Sequence, residues 1–250
     1  MTTPVDHRGI ATILRAHAVP RDGVLIVHSA IAGLSRQGWR AETIIDTLLE
    51  HLRDGTLLMP TMTWRTVTPQ QPVFDELLTP SHTGVLTEIF RTGHATARSL
   101  HPTHSVAGIG PLAKTLLSTH HLGSTPVPPT SPYGLMRDYC AHILMLGVGI
   151  ECATAIHHPE EVIAPERYLR PSEEAERYTL RARDGLATEH LLRRHRRVER
   201  HFEKYVPLLA ARGQFHAGTL GGVPWSLVNV AHLLAEVSAR LVEQRDFHLA

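Results

Sequence analysis

Apolar residues along the chain change their spacing at regular intervals, and those changes divide it into helices and strands. From Val5 to Ala18, the residues Ile10, Ile13, Leu14 and Ala18 recur at helical spacing, after which Pro20, Asp22 and Gly23 mark a turn. Val24–Val27 is an unbroken apolar run of the kind that makes a strand covered on both faces. The cycle then repeats. Ala41–Arg53 places Ile44, Ile45, Leu48, Leu49 and Leu52 on one helical face, Asp54 and Gly55 end it, and Thr56–Met59 is a second short strand closed by Pro60. Helices over Gly84–Thr92 and Pro111–Ser118, and strands over Ser105–Ile109 and His142–Leu146, continue the alternation. This order predicts a layered α/β fold with a largely buried sheet, and the whole chain, 1–250, reads as one domain.

Between these elements, Thr61–Pro80 and Thr119–Pro132 are proline-punctuated and lack periodicity, so they are expected to be long loops that flank one cleft. The last hundred residues differ in character. Pro159–Pro171 reads as a proline-punctuated connection, Tyr178–His190 as a hairpin around Asp184 and Gly185, and Val198–Arg212 and Val228–Glu243 as amphipathic helices. Phe202, Tyr205, Val206 and Leu209 mark the buried face of the first of these helices. The basic run Arg193–Arg197 alternates with Glu199 and Glu203, which reads as the solvated face of a helix.

Bulk composition narrows the function. A net charge of +1 does not supply the field with which nucleic-acid binders neutralise phosphates. Two cysteines, Cys140 and Cys152, build neither a disulfide framework nor a cysteine zinc site. The polar stretch Met1–Ala18 lacks the apolar core of a secretory signal, and no run approaches the roughly 20 apolar residues that span a bilayer, so a cytoplasmic protein without membrane contact is expected. The nineteen histidines are scattered, and no metal site is expected from them.

Three segments are able to carry chemistry. Val27-His28-Ser29-Ala30 runs from a strand into the small-residue loop Ile31–Gly38, whose free amides suit a phosphate or a thioester oxygen, although a plain strand-to-helix connection reads the same way. Arg98–Ser105 holds His101 and His104 among hydroxyls, able to hold a phosphate or move a proton, or simply to cap a turn before Pro102. Gly147-Val148-Gly149 ends a strand about ten residues before His157, with Glu151, Glu160 and Glu161 close enough in sequence to orient that imidazole as a base. The common hydrolase, nucleotide, dinucleotide and zinc-protease motifs do not occur.

Taken together and in order, Val27–Ala30, Gly55–Thr61, Val73–Asp75 with Thr79–Gly84, Arg98–Ser105, Ser131-Pro132, and Leu144–Gly149 with His157 and Glu160 resemble the aminoglycoside 3-N-acetyltransferase family. The likeness runs over about residues 5–170, and Gly213–Gly221 with the helix after it is more faintly similar to the family's closing strand and helix. The resemblance implies an α/β/α sandwich around a mixed sheet and acetylation of an aminocyclitol amine from acetyl-CoA, without a metal, by a monomer or homodimer. It implies that His157 is the catalytic base, that Glu199 or the nearer Glu160 orients it, and that Ser29, Ala30, Ile31, Ser35, Thr83, Arg98, His101 and Ser105 line the CoA and thioester end. Where the family reads Asp-Ser-Asn-Thr, this chain has Glu151-Cys152-Ala153-Thr154, and its C-terminal half is rich in Arg and His where a polycationic acceptor wants acids. A non-catalytic CoA-binding scaffold, an acyltransferase for another natural-product amine, and a hydrolase or metal enzyme are the rival readings.

Overall fold

A computed structural model describes residues 8–249. Its elements in chain order are α1 (Gly9–Ala16), β1 (Val24–Ser29), α2 (Ala32–Ser35), α3 (Ala41–His51), β2 (Thr56–Pro60), β3 (Val73–Asp75), α4 (Val85–Gly93), β4 (Ala97–Arg98), β5 (Val106–Ile109), α5 (Ala113–Leu117), α6 (Pro132–Leu135), β6 (Ala141–Leu146), α7 (His157–Ile163), α8 (Pro165–Tyr168), β7 (Glu176–Arg181), β8 (Ala187–Leu192), α9 (Tyr205–Ala210), β9 (Phe215–Leu220), β10 (Val223–Asn229) and α10 (Val230–Glu243). The start of the helix expected from Val5 lies outside the described residues.

Seven strands form one sheet in the order β4-β5-β2-β1-β6-β10-β9. The centre is parallel, with β1 between β2 and β6, and antiparallel strands close both sides, so the sheet is mixed. Strand β1 shows why its sequence is apolar without alternation. Val24 and Ile26 face one layer of core with Ile143, Met145 and the helices α7, α9 and α10, while Leu25 and Val27 face the other with α1, α3 and α4. A strand at the middle of a three-layer sandwich has no wet face. A smaller sheet, β3-β7-β8, packs Phe74, Tyr178, Leu180 and Leu192 into a satellite core of its own.

Three expectations need correction. The Pro159–Pro171 connection is mostly helical: Pro159 sits in the first turn of α7 and Pro165 opens α8, positions where a missing N–H costs nothing. The basic run is not a helix. It is an extended strap, in which the Arg193 and Arg196 amides donate to Ser124 and Tyr168 carbonyls at 2.7 Å and the Arg196 guanidinium donates to Leu169 O. The helix expected over Val198–Arg212 forms only from Tyr205, after a single turn at Phe202–Lys204, because Arg200 is drawn into a bridge with Leu249. In addition, the Thr61–Pro80 loop contributes β3, and Val228 belongs to β10 rather than to the final helix.

Candidate active site

Parallel strands bring their carboxyl ends to one edge of the sheet, and there a cleft of ≈ 280 Å³ opens beyond β1, β2 and β6. His28 and Ser29 come from β1 and Pro60 from β2, while Met62 and Trp64 follow on the loop after β2. Val148 and the 151–157 segment close the opposite wall. Two glycines make the edge possible. Gly147 has φ +73 and passes so near the Ala30 carbonyl that a Cβ has no room, and Gly84, φ +115, starts α4 beside the Ser29 carbonyl.

His157 opens α7 with its side chain about 20% exposed into the cleft. Its Nδ1 lies 2.7 Å from Oε2 of Glu160, one turn along the same helix, and Glu160 is fully buried. Burial alone would raise the Glu160 carboxyl, but His157, His248 and Arg200 together outweigh it and hold the group well below the ordinary carboxylate range. Glu160 is therefore an ionised acceptor. His157 donates to it through Nδ1–H, His248 donates through Nε2–H at 2.6 Å, and Arg200 Nε donates at 2.9 Å. Tyr205 in turn donates its hydroxyl proton to His248 Nδ1 at 2.6 Å, which fixes the His248 tautomer. With Nδ1 committed, the lone pair of His157 sits on Nε2.

The next residue, Glu161, repeats the arrangement with a different imidazole: its Oε1 lies 2.6 Å from His195 Nε2 and accepts the Val127 amide at 2.8 Å. His157 and His195 face each other with ring centroids 4.6 Å apart. His157, Glu160 and His195 offer donor atoms within 4.8 Å of one another, a spacing a metal ion can use. The donor set does not suit one: the Glu160 oxygens are already taken by two imidazoles and the Arg200 guanidinium, whose charge opposes a second cation. Cys152 also reaches the cleft, but burial and the neighbouring Glu151 raise its thiol, which leaves it a poor nucleophile.

Of the residues expected at the site, the structure brings Ser29, Thr83, Glu160 and His157 together at the cleft or immediately behind it. The others go elsewhere. Arg98, 5% exposed, ties the loop after β2 to β4 by donating to Thr61 and to the carbonyls of Glu76 and Thr79. Ser105 joins the same knot through Thr61, and His101 caps its own turn, its Nδ1 accepting the Thr103 and His104 amides. Ile31 is core, the Ala30 amide is spent on Leu146 O, and Ser35 ends the short α2. Glu199 is corrected too: its side chain is 76% exposed and its ion pair is with His201 at 3.9 Å, so the carboxylate at His157 is Glu160.

Sequence reasoning named His28 and His104 only as members of their segments and passed over Arg200 and His248. His28 carried a usable signal, a polar residue inside an otherwise apolar strand; it lines the cleft, its Nε2 has no partner, and burial pushes its imidazole down to about 4. His104 also lines the cleft. Arg200 and His248 carried none, since they reach Glu160 from 40 and 88 residues away. A larger cavity of ≈ 670 Å³ lies between β4, α5 and the tip of the β7–β8 hairpin, away from these groups. Among the described residues, no helix is long and apolar enough to cross a membrane.

The family model described as aminoglycoside 3-N-acetyltransferase matches residues 26–242. Aminoglycoside N(3)-acetyltransferase VII of Streptomyces paromomycinus is 26% identical over 63% of this chain and 60% of its own length, so the chain spans about three fifths of that relative. Among solved structures, the apoenzyme of aminoglycoside acetyltransferase AAC(3)-IVa is 23% identical with a TM-score of 0.81, covering 100% of this chain and 93% of that one. The complex of AAC-IIIb with CoASH is 22% identical with a TM-score of 0.79, over 95% and 96% of the two chains. At these identities the likeness to the solved structures fixes the fold, an α/β/α sandwich around a mixed sheet.

Proposed function

The chain belongs to the aminoglycoside 3-N-acetyltransferase family, and we propose that it transfers the acetyl group of acetyl-CoA directly to an amine of an aminoglycoside or aminocyclitol-like acceptor, with His157 as general base. One observation carries the reading. An imidazole at the cleft wall has Nδ1–H committed to the buried, ionised Glu160, which leaves Nε2 to take a proton.

The chemistry follows from what the reaction lacks in water. An ammonium has no lone pair, so the acceptor nitrogen reacts as the free amine, its first proton lost to solvent, and sheds a second proton as it attacks the thioester carbonyl. His157 Nε2 takes that second proton, the nitrogen–carbon bond forms, the carbon–sulfur bond breaks, and the imidazolium returns the proton to the departing CoA thiolate. A positioned base of this kind contributes roughly 10²- to 10⁴-fold. Glu160 orients the ring and stabilises the imidazolium, as a buried carboxylate does behind a catalytic histidine. Ser29, Pro60, Met62 and Val148 offer the thioester end a mixed apolar and hydroxyl wall. The raised Cys152 thiol favours direct transfer over an acyl-cysteine intermediate. Acetyl-CoA as donor assigns the reaction to the cytoplasm.

The test is thiol release from acetyl-CoA in the presence of aminoglycosides, aminocyclitols and simple amines. Acceptor-dependent thiol release, with the acetylated amine identified by mass spectrometry, is expected. CoA binding without release against every acceptor would leave a CoA-binding scaffold and overturn the reading.

A further inference from the structure

Two consecutive carboxylates on α7 each hold a different imidazole. Glu160 takes His157 at 2.7 Å and Glu161 takes His195 at 2.6 Å, and the two rings meet at 4.6 Å, inclined by 40°. The first pair belongs to the proposed reaction; the second has no part in it. The His195 side chain is only 14% exposed and that of Glu161 2%, so their mutual contact is screened little by solvent.

Other charged groups surround this second pair. His157, His158 and Glu160 face it from α7 itself, Arg194 and Arg200 from the strap, and His104 meets His195 edge-on at 5.7 Å from the loop before β5. Burial pushes the Glu161 carboxyl up to about 7, with the Thr125 hydroxyl, the Val127 amide and His157 pulling the other way. Burial, followed by the charge of His157, holds His195 well below an ordinary imidazole. Glu161 is thus a buried carboxyl, pushed up to about 7, in direct contact with the imidazole that faces His157.

We propose that Glu161 and His195 form a second proton-holding pair that acts through His157, setting how strongly that ring binds a proton. In the protonated pair, Glu161 O–H donates to His195 Nε2 and the net charge is zero. When the His195 Nδ1 proton leaves to solvent and the carboxyl proton moves to Nε2, the pair becomes Glu161 carboxylate accepting from Nε2–H, with one negative charge. That charge favours imidazolium on His157, so the base strengthens as the pair loses its proton. Groups this close titrate as a coupled set. The assignment of His157 as base is the reading this inference rests on.

The test reads the coupling without turnover. Imidazole-labelled full-length protein is titrated by NMR, with the His157 signal identified by its loss in His157→Ala. In Glu161→Gln the His157 midpoint should fall by about half a pH unit or more, because a nearby negative charge is gone. His195→Phe should move it the same way, since Glu161 without its partner stays protonated in a buried site. The double variant should move it no further than the larger single shift. A midpoint unchanged in both single variants, with melting curves showing them folded, would overturn the proposal. If the midpoint moves while the acid limb of kcat/KM stays put, the coupling stands and it is the base assignment of His157 that fails.

Discussion

Nδ1 of His157 stands 2.7 Å from Oε2 of Glu160, one helical turn away on α7, and the same carboxylate is held from behind by Arg200 and His248. An imidazole whose orienting group is three residues along its own helix cannot drift from it unless the helix opens. The carboxylate's other partners come from the strap and from the chain's end, so three distant segments are pinned at one buried charge.

Glu160→Gln keeps the shape and removes the charge, leaving Arg200 and His248 without an anionic partner. Breaking a buried ion pair from one side costs about 3–5 kcal/mol, which a shift of the denaturant midpoint at constant m would report. Turnover should fall at least about tenfold as His157 loses its orientation. Glu199→Ala should leave stability within about 0.5 kcal/mol and turnover unchanged, because that side chain is solvated.

Acid should unfold this protein earlier than its composition suggests. His28 is held at about 4, His120 at about 3 and His190 at about 4, each by burial. A folded-state value below the unfolded one means that the unfolded chain binds more protons between the two, so stability falls as pH drops from 6.5 toward 4. For His28 alone this is of the order of 3 kcal/mol. Glu160 has the carboxylate sign: its contribution is complete above the ordinary carboxylate value of 4.5 and is lost only as pH falls below it. The melting temperature should therefore decline from pH 7 to 5, with Glu161, raised to about 7, taking up its proton in the folded state over the same range and offsetting part of the fall; a flat profile there would contradict the burial of these rings.

Gly147→Ala places a side chain against the Ala30 carbonyl at φ +73. A loss of about 1–3 kcal/mol follows from strain of this kind. The strand ends that frame the cleft should also separate, and KM for acetyl-CoA should rise with it.

Ser29→Phe fills the cleft from β1 without touching the Glu160 network. Weaker CoA binding with the melting temperature little changed is expected, measured by calorimetry. Normal CoA affinity in that variant would remove Ser29 from the donor's path.

The sandwich was legible because its central strands are buried on both faces. Val24–Val27 and Ile143–Leu146 state that in unbroken apolar runs, and Ile44, Ile45 and Leu48 state the helix covering them. The C-terminal third was less legible for a physical reason. Arg193–Arg197 makes its hydrogen bonds to the carbonyls of Arg170, Leu169 and Tyr168, so tertiary partners decide its conformation where periodicity suggested a helix. At the site, His157 and Glu160 share a helical face and are readable as a pair three apart. Arg98 and His101 have the residue types of a binding motif, yet their hydrogen bonds are all spent on the fold, which no sequence pattern discloses.

The most direct test of His157 as base is the turnover of His157→Ala measured beside its affinity for CoA. The account predicts that kcat falls at least about a hundredfold while the calorimetric Kd for CoA stays within about twofold of wild type. Turnover equal to that of wild type in a folded His157→Ala protein would contradict it.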